Sequence, residues 1–502
     1  MALWVSGCGG ATGGSTGEST GGTAGTTGDG DPDRATLVHS FGVRTMTPFA
    51  ESEPCVQWTL HNDQPIYVNT VTLVNDGGYH HSNWLAVPED KFPGEDGFFD
   101  CDERGYTELD GAISGTVLFA QSTQSRSEVQ QLPPGVVVKI PPRHKVMAGV
   151  HLLNLGSTDL DSELRMALEI VHPRTVEVVV APFRLTYRDL HIPAGKRSRF
   201  SSTCTFDKAY ESAVGVPLDL KLYHVLPHFH YLGDAFSVDI VGGPDDGRNI
   251  YTLNGFNADA NGRAFDPPID LAGAEGLSFY CGFDNWRDKD IGWGIGDQEM
   301  CVMLGLADSR AIMDMSVPGG SEAVGVDGDV LLNEGPCNVL ALAKNEAQTL
   351  PAPAERDAEP MYVPPTGEDD VDLEPVKRCV DSDPAAAPSG TTLSHLRDAV
   401  FVPGCMFSSC HDAKIPTAGL DLQGPALHAA LLEHEVIADV DLPLVAPGDP
   451  DGSWLYQLVS KCEPRDRKGD AARPMPYNAP TLLADEHVAA VRAWIAAGAK
   501  DD

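Results

Sequence analysis

The sequence predicts a mostly β protein, two β-sandwiches in tandem followed by a small all-α domain, and three observations predict it. The 51 Gly and 38 Pro among 502 residues point to turn-rich β structure rather than helical bundles. From residue 35 to about 345, short apolar runs rich in Val, Thr and Ile recur between turn signals, with no long helical period. From Cys379 onward the period becomes that of helices. At about 150 residues per domain, the length has room for three such units. Hydrophobic residues at 42% and charged residues at 22% argue against both a disordered chain and a membrane bundle.

Residues 1–34 read as an export remnant and a tether. Val5-Ser6-Gly7-Cys8 resembles a bacterial lipobox, in which Cys8 is lipidated after cleavage. Only Met1 to Trp4 precede it, without the usual basic and long apolar regions, so the expectation is a true start upstream. The alternative is a chance match in an ordinary N-terminus. From Gly9 to Asp33, 18 of 25 residues are Gly, Ser or Thr, the composition of a flexible tether.

Residues 35–190 form the first expected sandwich, with runs at Ile66 to Val74, Gly135 to Ile140, Leu164 to Val171 and Val176 to Val180. The stretch His191-Ile192-Pro193-Ala194-Gly195 reads as the junction to the second, residues 191–345, with strands near Leu218 to Val225, Ala235 to Val241 and Glu299 to Leu306. Residues 346–378, rich in Pro, Ala, Asp and Glu and including Pro351, Pro353, Pro364 and Pro365, read as an extended acidic linker. In residues 379–502, Leu393 to Phe401 and Leu427 to Glu433 read as helices. Asp485 to Ala497 is amphipathic, with Val488, Val491 and Ile495 on one face and Arg492 pointing elsewhere.

Acidic residues outnumber basic ones 73 to 35, a net charge of -38. Such a surface repels phosphate backbones and anionic lipid, which argues against nucleic-acid binding and leaves a lipid anchor as the membrane contact. It attracts cations. The eleven cysteines are Cys8, Cys55, Cys101, Cys204, Cys281, Cys301, Cys337, Cys379, Cys405, Cys410 and Cys462. If Cys8 carries lipid, ten remain, an even number that fits an oxidising compartment without giving connectivity.

Four features of the β region carry metal-ligand chemistry: the pair His80-His81, a lone His151, His228-Phe229-His230, and Met300 in Glu299-Met300-Cys301. On a strand, residues i and i+2 share a face, so His228 and His230 can address one ion. Adjacent His80 and His81 would diverge on a regular strand and need a bulge or a strand end to converge. Imidazole suits Cu and Zn, and a thioether selects Cu(I), so the set argues for copper cycling through its reduced state. The bland readings are a core or surface role for His151, gap-filling by Met300 and core packing for His224.

These motifs, in this order, resemble the copper type II, ascorbate-dependent monooxygenases, the family of peptidylglycine α-hydroxylating and dopamine β-monooxygenases, over residues 36 to 345. The resemblance implies two jelly-roll sandwiches. It implies an electron-transfer copper on His80, His81 and His151, and an O2-activating copper on His228, His230 and Met300. The intervals from His81 to His151 and from His230 to Met300, 70 residues each, are close to the family's spacing. It further implies disulfides Cys281–Cys301 and Cys55–Cys101, with Cys204–Cys337 closing the second domain. Peptide-specific members grip a substrate carboxylate with an Arg where this chain has Leu226, and place Asn and Tyr where Val302 and Leu304 stand. A Gln two residues before the lone His is Gly149 here. A C-terminal glycine peptide is therefore not the expected substrate, and a more apolar small molecule is.

Cys405-Met406-Phe407-Ser408-Ser409-Cys410-His411 is a Cys-x4-Cys-His motif, a rarer spacing of covalent haem c attachment. Met475 follows 64 residues after His411, ahead of the terminal helix, and the segment resembles class I-like cytochromes c. That resemblance implies Cys405 and Cys410 as haem attachments and His411 and Met475 as axial ligands. Cys379 and Cys462 then remain as a pair; without haem, Cys405 would pair with Cys462.

The function expected is a lipid-tethered monooxygenase of the bacterial cell envelope, periplasmic or on the outer surface. It would hydroxylate a C–H bond of a small substrate with O2. Electrons would come from the fused haem domain, or from an external donor protein or small reductant, ascorbate by resemblance. The alternatives are a non-catalytic electron-transfer or copper-holding lipoprotein and a structural β-protein with incidental histidines.

Overall fold

The computed structural model describes residues 31–502 except 49, 122–124, 155–157, 231, 255–261, 286, 288, 295–297, 345–347, 364–370, 377–378, 383, 385–390, 406–410, 413–414, 417–418, 423, 435, 437–439, 467, 470, 477–478 and 480. Cys8 with its lipobox, the tether as far as residue 30, Cys410 and the His80 side chain lie outside what is described.

Two six-stranded sheets build the first sandwich. One runs Arg34–Met46, Leu160–Val171, Ile66–Asn75, Val136–Ile140, Val178–Val179, with Ser127–Gln131 also paired to Ile66–Asn75. The other runs Gly97–Phe99, Cys55–Thr59, His144–Leu153, Tyr79–Pro88, Thr116–Gln121, with Glu51–Ser52 added to His144–Leu153. Alternation decides which side is buried: Val146, Ala148, Val150 and Leu152 enter the shared core with Trp58 and Trp84. Met147, one residue out of phase, joins Leu85, Val87, Cys55 and Tyr106 in a small cluster on the sheet's outer face.

The second sandwich has one sheet in the order Arg263–Asp270, Lys221–His228, Val302–Asp308, Ala181–Tyr187, Ala311–Val317, Asn338–Ala343. The facing sheet runs Asn249–Asn254, Gly233–Val241, Gly276–Asn285, Lys196–Thr205, Val330–Glu334, Glu322–Asp327. Phe183, Leu185, Phe200, Val225, Phe236 and Phe283 fill the space between them. The strand Ala181–Tyr187 lies inside this second sandwich, so the division between the sandwiches falls before residue 181 rather than at residue 190. Its ladders to Val302–Asp308 and Ala311–Val317 decide this, whereas the Pro-Ala-Gly turn that suggested the later boundary follows a two-residue ribbon paired with Ile291–Gly292. Tyr223 and Leu306 of the second sandwich are members of the first one's core, so the two units pack against each other.

The acidic segment 346–378 is strapped to the first sandwich where it is described. It contains a helix, Pro353–Ala358, with Pro at its first turn. Lys139 Nζ donates to Thr349 O at 3.0 Å, Tyr67 Oη to Glu359 at 3.1 Å and Tyr362 Oη to Leu60 O at 3.1 Å. Arg165, buried against Asp76, reaches Asp372 O at 2.8 Å, and Arg126 reaches Val376 O at 2.7 Å. Donors on the sandwich meet carbonyls and a carboxylate of the strap, and Tyr362 of the strap donates back to the sandwich, contacts that composition does not reveal.

The last segment has its own core of Leu396, Val400, Leu431, Val491, Trp494 and Ile495. Its helices are few and short: Leu427–Glu433, Trp454–Ser460, Asp485–Ala496, and a run from Leu393 to Cys405 that is π-helical over Arg397–Phe401. Two-residue strands His411–Asp412 and Ile415–Pro416 pair antiparallel, so the described residues are not purely α. In the terminal helix Val488, Val491 and Ile495 are fully buried and Arg492 is exposed, as the amphipathic pattern predicts.

Four disulfides form: Cys55–Cys101, Cys204–Cys337, Cys281–Cys301 and Cys379–Cys462. These are the expected pairings, and the last rules out a Cys405–Cys462 bridge. Disulfides of this number belong to oxidising compartments. Among the described residues, no helix is long and apolar enough to cross a membrane.

Candidate metal centre

His81 and His151 stand side by side on the outer face of the first sandwich. They face each other across the ladder between Tyr79–Pro88 and His144–Leu153, with ring centroids 4.8 Å apart and planes nearly perpendicular. The next pair in that ladder is Leu152 with Tyr79, so His80 is the extra residue of a bulge. A bulge is the backbone device that two adjacent histidines require before both can turn to one side. Gly149 and His151 continue the outer row begun by Met147, and Cys55 of the Cys55–Cys101 bridge lies opposite Gly149. The Nδ1 atoms of His81 and His151 are buried, and Nε2 of His151 lies 2.6 Å from Glu51 Oε1.

His228 closes the strand Lys221–His228 opposite Val302, and the strand ends there. His230 therefore lies beyond the ladder, and its place beside His228, with centroids 5.2 Å apart, comes from side-chain anchoring rather than from strand alternation. Glu299 supplies the anchor. Fully buried, it accepts the N–H of His230 at 2.8 Å on one oxygen and that of Leu232 at 2.7 Å on the other. His230 Nδ1 donates to Gln298 O at 2.7 Å, which sets the tautomer and leaves Nε2 as the donor atom for a metal. Met300 lies between Glu299, tied to the His230 backbone, and Val302, paired with His228. The buried Cys281–Cys301 bridge holds the next residue.

The two pairs meet. The His81 and His228 rings are 5.8 Å apart, so four imidazoles from two sandwiches form one continuous cluster. Burial, then the neighbouring His230, push His228 down to about 3, and burial lowers His230 also. Both are neutral at pH 7, the form that binds metals. Burial pushes Glu299 up to about 7 against the pull of its backbone donors. Among the described residues, no group of three or more His, Cys, Asp or Glu is placed to hold a metal ion. Each expected set contributes two described imidazoles, the third donor being His80 in one and the thioether of Met300 in the other. The chemistry of the donors present, buried neutral imidazoles, fits copper.

Beyond His228, the same sheet face carries Leu226 and, across the ladder, Leu304. Arg184 is next in that row, and it holds Asp314 through two hydrogen bonds of 2.7 and 2.9 Å. Its charge is thus already matched. His224, two residues further along from Leu226, is buried and pushed down to about 4 by desolvation, with no second histidine in its row.

In the last segment, His411 Nδ1 is 3.2 Å from Leu420 O. Cys405 and Met475 both pack against the helical core. Cys410 lies outside the described residues. Glu51, Glu299 and Gln298 are site residues that the sequence reading did not assign; Glu299 adjoins Met300, but its clasp on the His230 loop depends on a contact 69 residues away.

No family model matches the chain, and no curated protein matches it. Similar solved structures include the major capsid protein P2 of bacteriophage PM2, at 7% identity over 55% of this chain and 97% of that chain, with a TM-score of 0.25. Another is from Broad Bean Stain Virus, at 11% identity over 57% and 94%, TM-score 0.24. A third is PNGase F, a glycosylasparaginase from Flavobacterium meningosepticum, at 8% identity over 55% and 96%, TM-score 0.24. None of the three is a copper monooxygenase, and TM-scores this low carry no argument.

Proposed function

We propose that this chain is a copper-dependent monooxygenase that hydroxylates a C–H bond of a small, apolar substrate. The observation that carries the reading is the meeting of His81, His151, His228 and His230 from two sandwiches in one cluster. Residues that were 70 positions apart in sequence stand within ring contact, and incidental histidines have no reason to do so.

His80, His81 and His151 would hold one ion, and His228, His230 and Met300 the other. Copper bound there supplies one-electron redox chemistry and a centre at which O2 reacts. The overall conversion places one oxygen atom in the substrate and reduces the other to water, taking two electrons and two protons. The chain's own part is to keep His228 and His230 neutral, to present Nε2 of His230 through the Gln298 carbonyl, and to hold the His-x-His loop against Met300 through Glu299. Leu226 and Leu304 place hydrocarbon on the sheet face beyond His228, and Arg184 is engaged by Asp314, which supports an uncharged substrate over a carboxylate. Two jelly rolls are the form this reading gives the sandwiches. In the last segment, Cys405 and Cys410 would attach haem c, with His411 and Met475 as axial ligands, so that electrons enter from a fused cytochrome. Cys8 would anchor the protein to the cell envelope.

The test combines composition with turnover. Copper-loaded protein should contain two copper ions and one covalent haem iron per chain by elemental analysis and a pyridine haemochrome spectrum. Copper loading should speed reoxidation of the reduced haem by O2, and ascorbate should support substrate-dependent O2 uptake. A protein that retains copper but shows no such uptake is an electron carrier. One that retains essentially no copper after mild chelation is neither.

A further inference from the structure

Glu51 is the carboxylate that touches the cluster from outside the ligand set. It lies in the two-residue strand Glu51–Ser52, which pairs with His144–Leu153 so that Glu51 is opposite Leu153. Leu153 and His151 share a sheet face, and Glu51 is therefore the diagonal neighbour of His151 across the ladder. The contact is short, 2.6 Å between Oε1 and Nε2. The His151 side chain is 8% exposed and that of Glu51 44%, so a buried ring is tied to a carboxylate at the solvent boundary.

We propose that Glu51 is a positioning residue that fixes His151 as its Nε2–H tautomer, leaves Nδ1 as the copper donor, and makes this copper the more reducing of the two. The inference rests on His151 being a ligand, as in the proposed function. A ligand imidazole whose remaining N–H is held by a carboxylate is a more basic donor and favours the oxidised, more highly charged ion. On the other side, His230 gives its Nδ1–H to a neutral carbonyl, and a thioether favours the reduced ion. A charged partner at one site and a neutral one at the other place the lower potential at the His81–His151 site.

Full-length protein and the variants Glu51→Gln, Glu51→Asp and His151→Ala test it by copper affinity in chelator competition and by potentiometric titration followed by electron paramagnetic resonance. Glu51→Gln should weaken one of two coppers by ~10–100-fold and move that site to a more positive potential, leaving the other unchanged. Glu51→Asp should fall between, because it keeps the charge at shorter reach. If His151→Ala loses one copper while Glu51→Gln matches wild type in affinity and potential, the role of Glu51 fails and the copper reading stands. If His151→Ala keeps both coppers, both fail. Loss of the copper in Glu51→Gln to the same degree as in His151→Ala would make Glu51 a ligand and overturn the positioning role.

Discussion

Glu299 shows how much of the centre depends on single side chains. Its two carboxylate oxygens each receive one backbone N–H from the loop that carries His230. Replacing it with Gln keeps the size but turns an NH2 group toward one of those donors. A buried donor left without an acceptor costs ~1–3 kcal/mol, so Glu299→Gln should lower unfolding stability by about that amount in chemical denaturation. It should also loosen copper at the His228–His230 site, measured by chelator competition, while leaving the His81–His151 site intact. Sequence reading singled out His81, His151, His228, His230 and Met300 as candidate ligands because residue type and local spacing are visible along one chain. Glu51 and Glu299 escaped it because carboxylates are common in a chain with 73 of them, and only contact marks these two.

At the scale of elements, the same short-range logic succeeds and stops at a definite point. Short apolar runs between turn signals located most of the expected strands to within a few residues, as with Ile66–Asn75, Val136–Ile140 and Gly233–Val241. Of the bulge or strand end expected at His80-His81, the structure has a bulge, where the ladder shifts register. The His-x-His motif behaves differently, since the strand ends at His228 and tertiary anchors place His230. One such anchor is the Cys281–Cys301 bridge, which closes a segment of 20 residues ending next to Met300. Removing it with Cys281→Ser and Cys301→Ser together should destabilise the protein by about 3 kcal/mol on the loop-entropy estimate. Calorimetry or denaturant unfolding measures this, and a stability within about 0.5 kcal/mol of wild type would show the segment held by packing alone.

The whole molecule sets the distance between the two pairs. With the His81 and His228 rings 5.8 Å apart, ions held by the two pairs would be neighbours. Copper(II)-loaded protein should therefore give a resonance signal broadened by magnetic interaction between the two ions. Two sharp signals accounting for both coppers would mean that the sandwiches separate when metal binds. The contact between sandwiches also contains Lys344, whose Nζ donates to Val179 O at 2.7 Å beside Lys139 and Pro182. Burial pushes Lys344 down to about 8, below the ~10.4 of an unfolded lysine. The folded state then holds fewer protons than the unfolded state between those values, so stability rises with pH across that window. Wild type measured against Lys344→Met should gain stability from about pH 8 to pH 10; a flat difference in parallel denaturation curves would show Lys344 to be solvated.

The sequence by itself determined the β character and the amphipathic terminal helix, because each depends on residue type and on spacing along one chain, whereas the full ligand sets and the cysteine pairings it offered came through a resemblance and not from spacing. Tertiary structure decided the rest. It assigned Ala181–Tyr187 to the second sandwich, bound the acidic segment across the first, gave His151 and His230 their partners, and brought His81 to His228. All of these join residues distant in sequence, and such contacts follow from how sheets pack and loops close rather than from any local pattern.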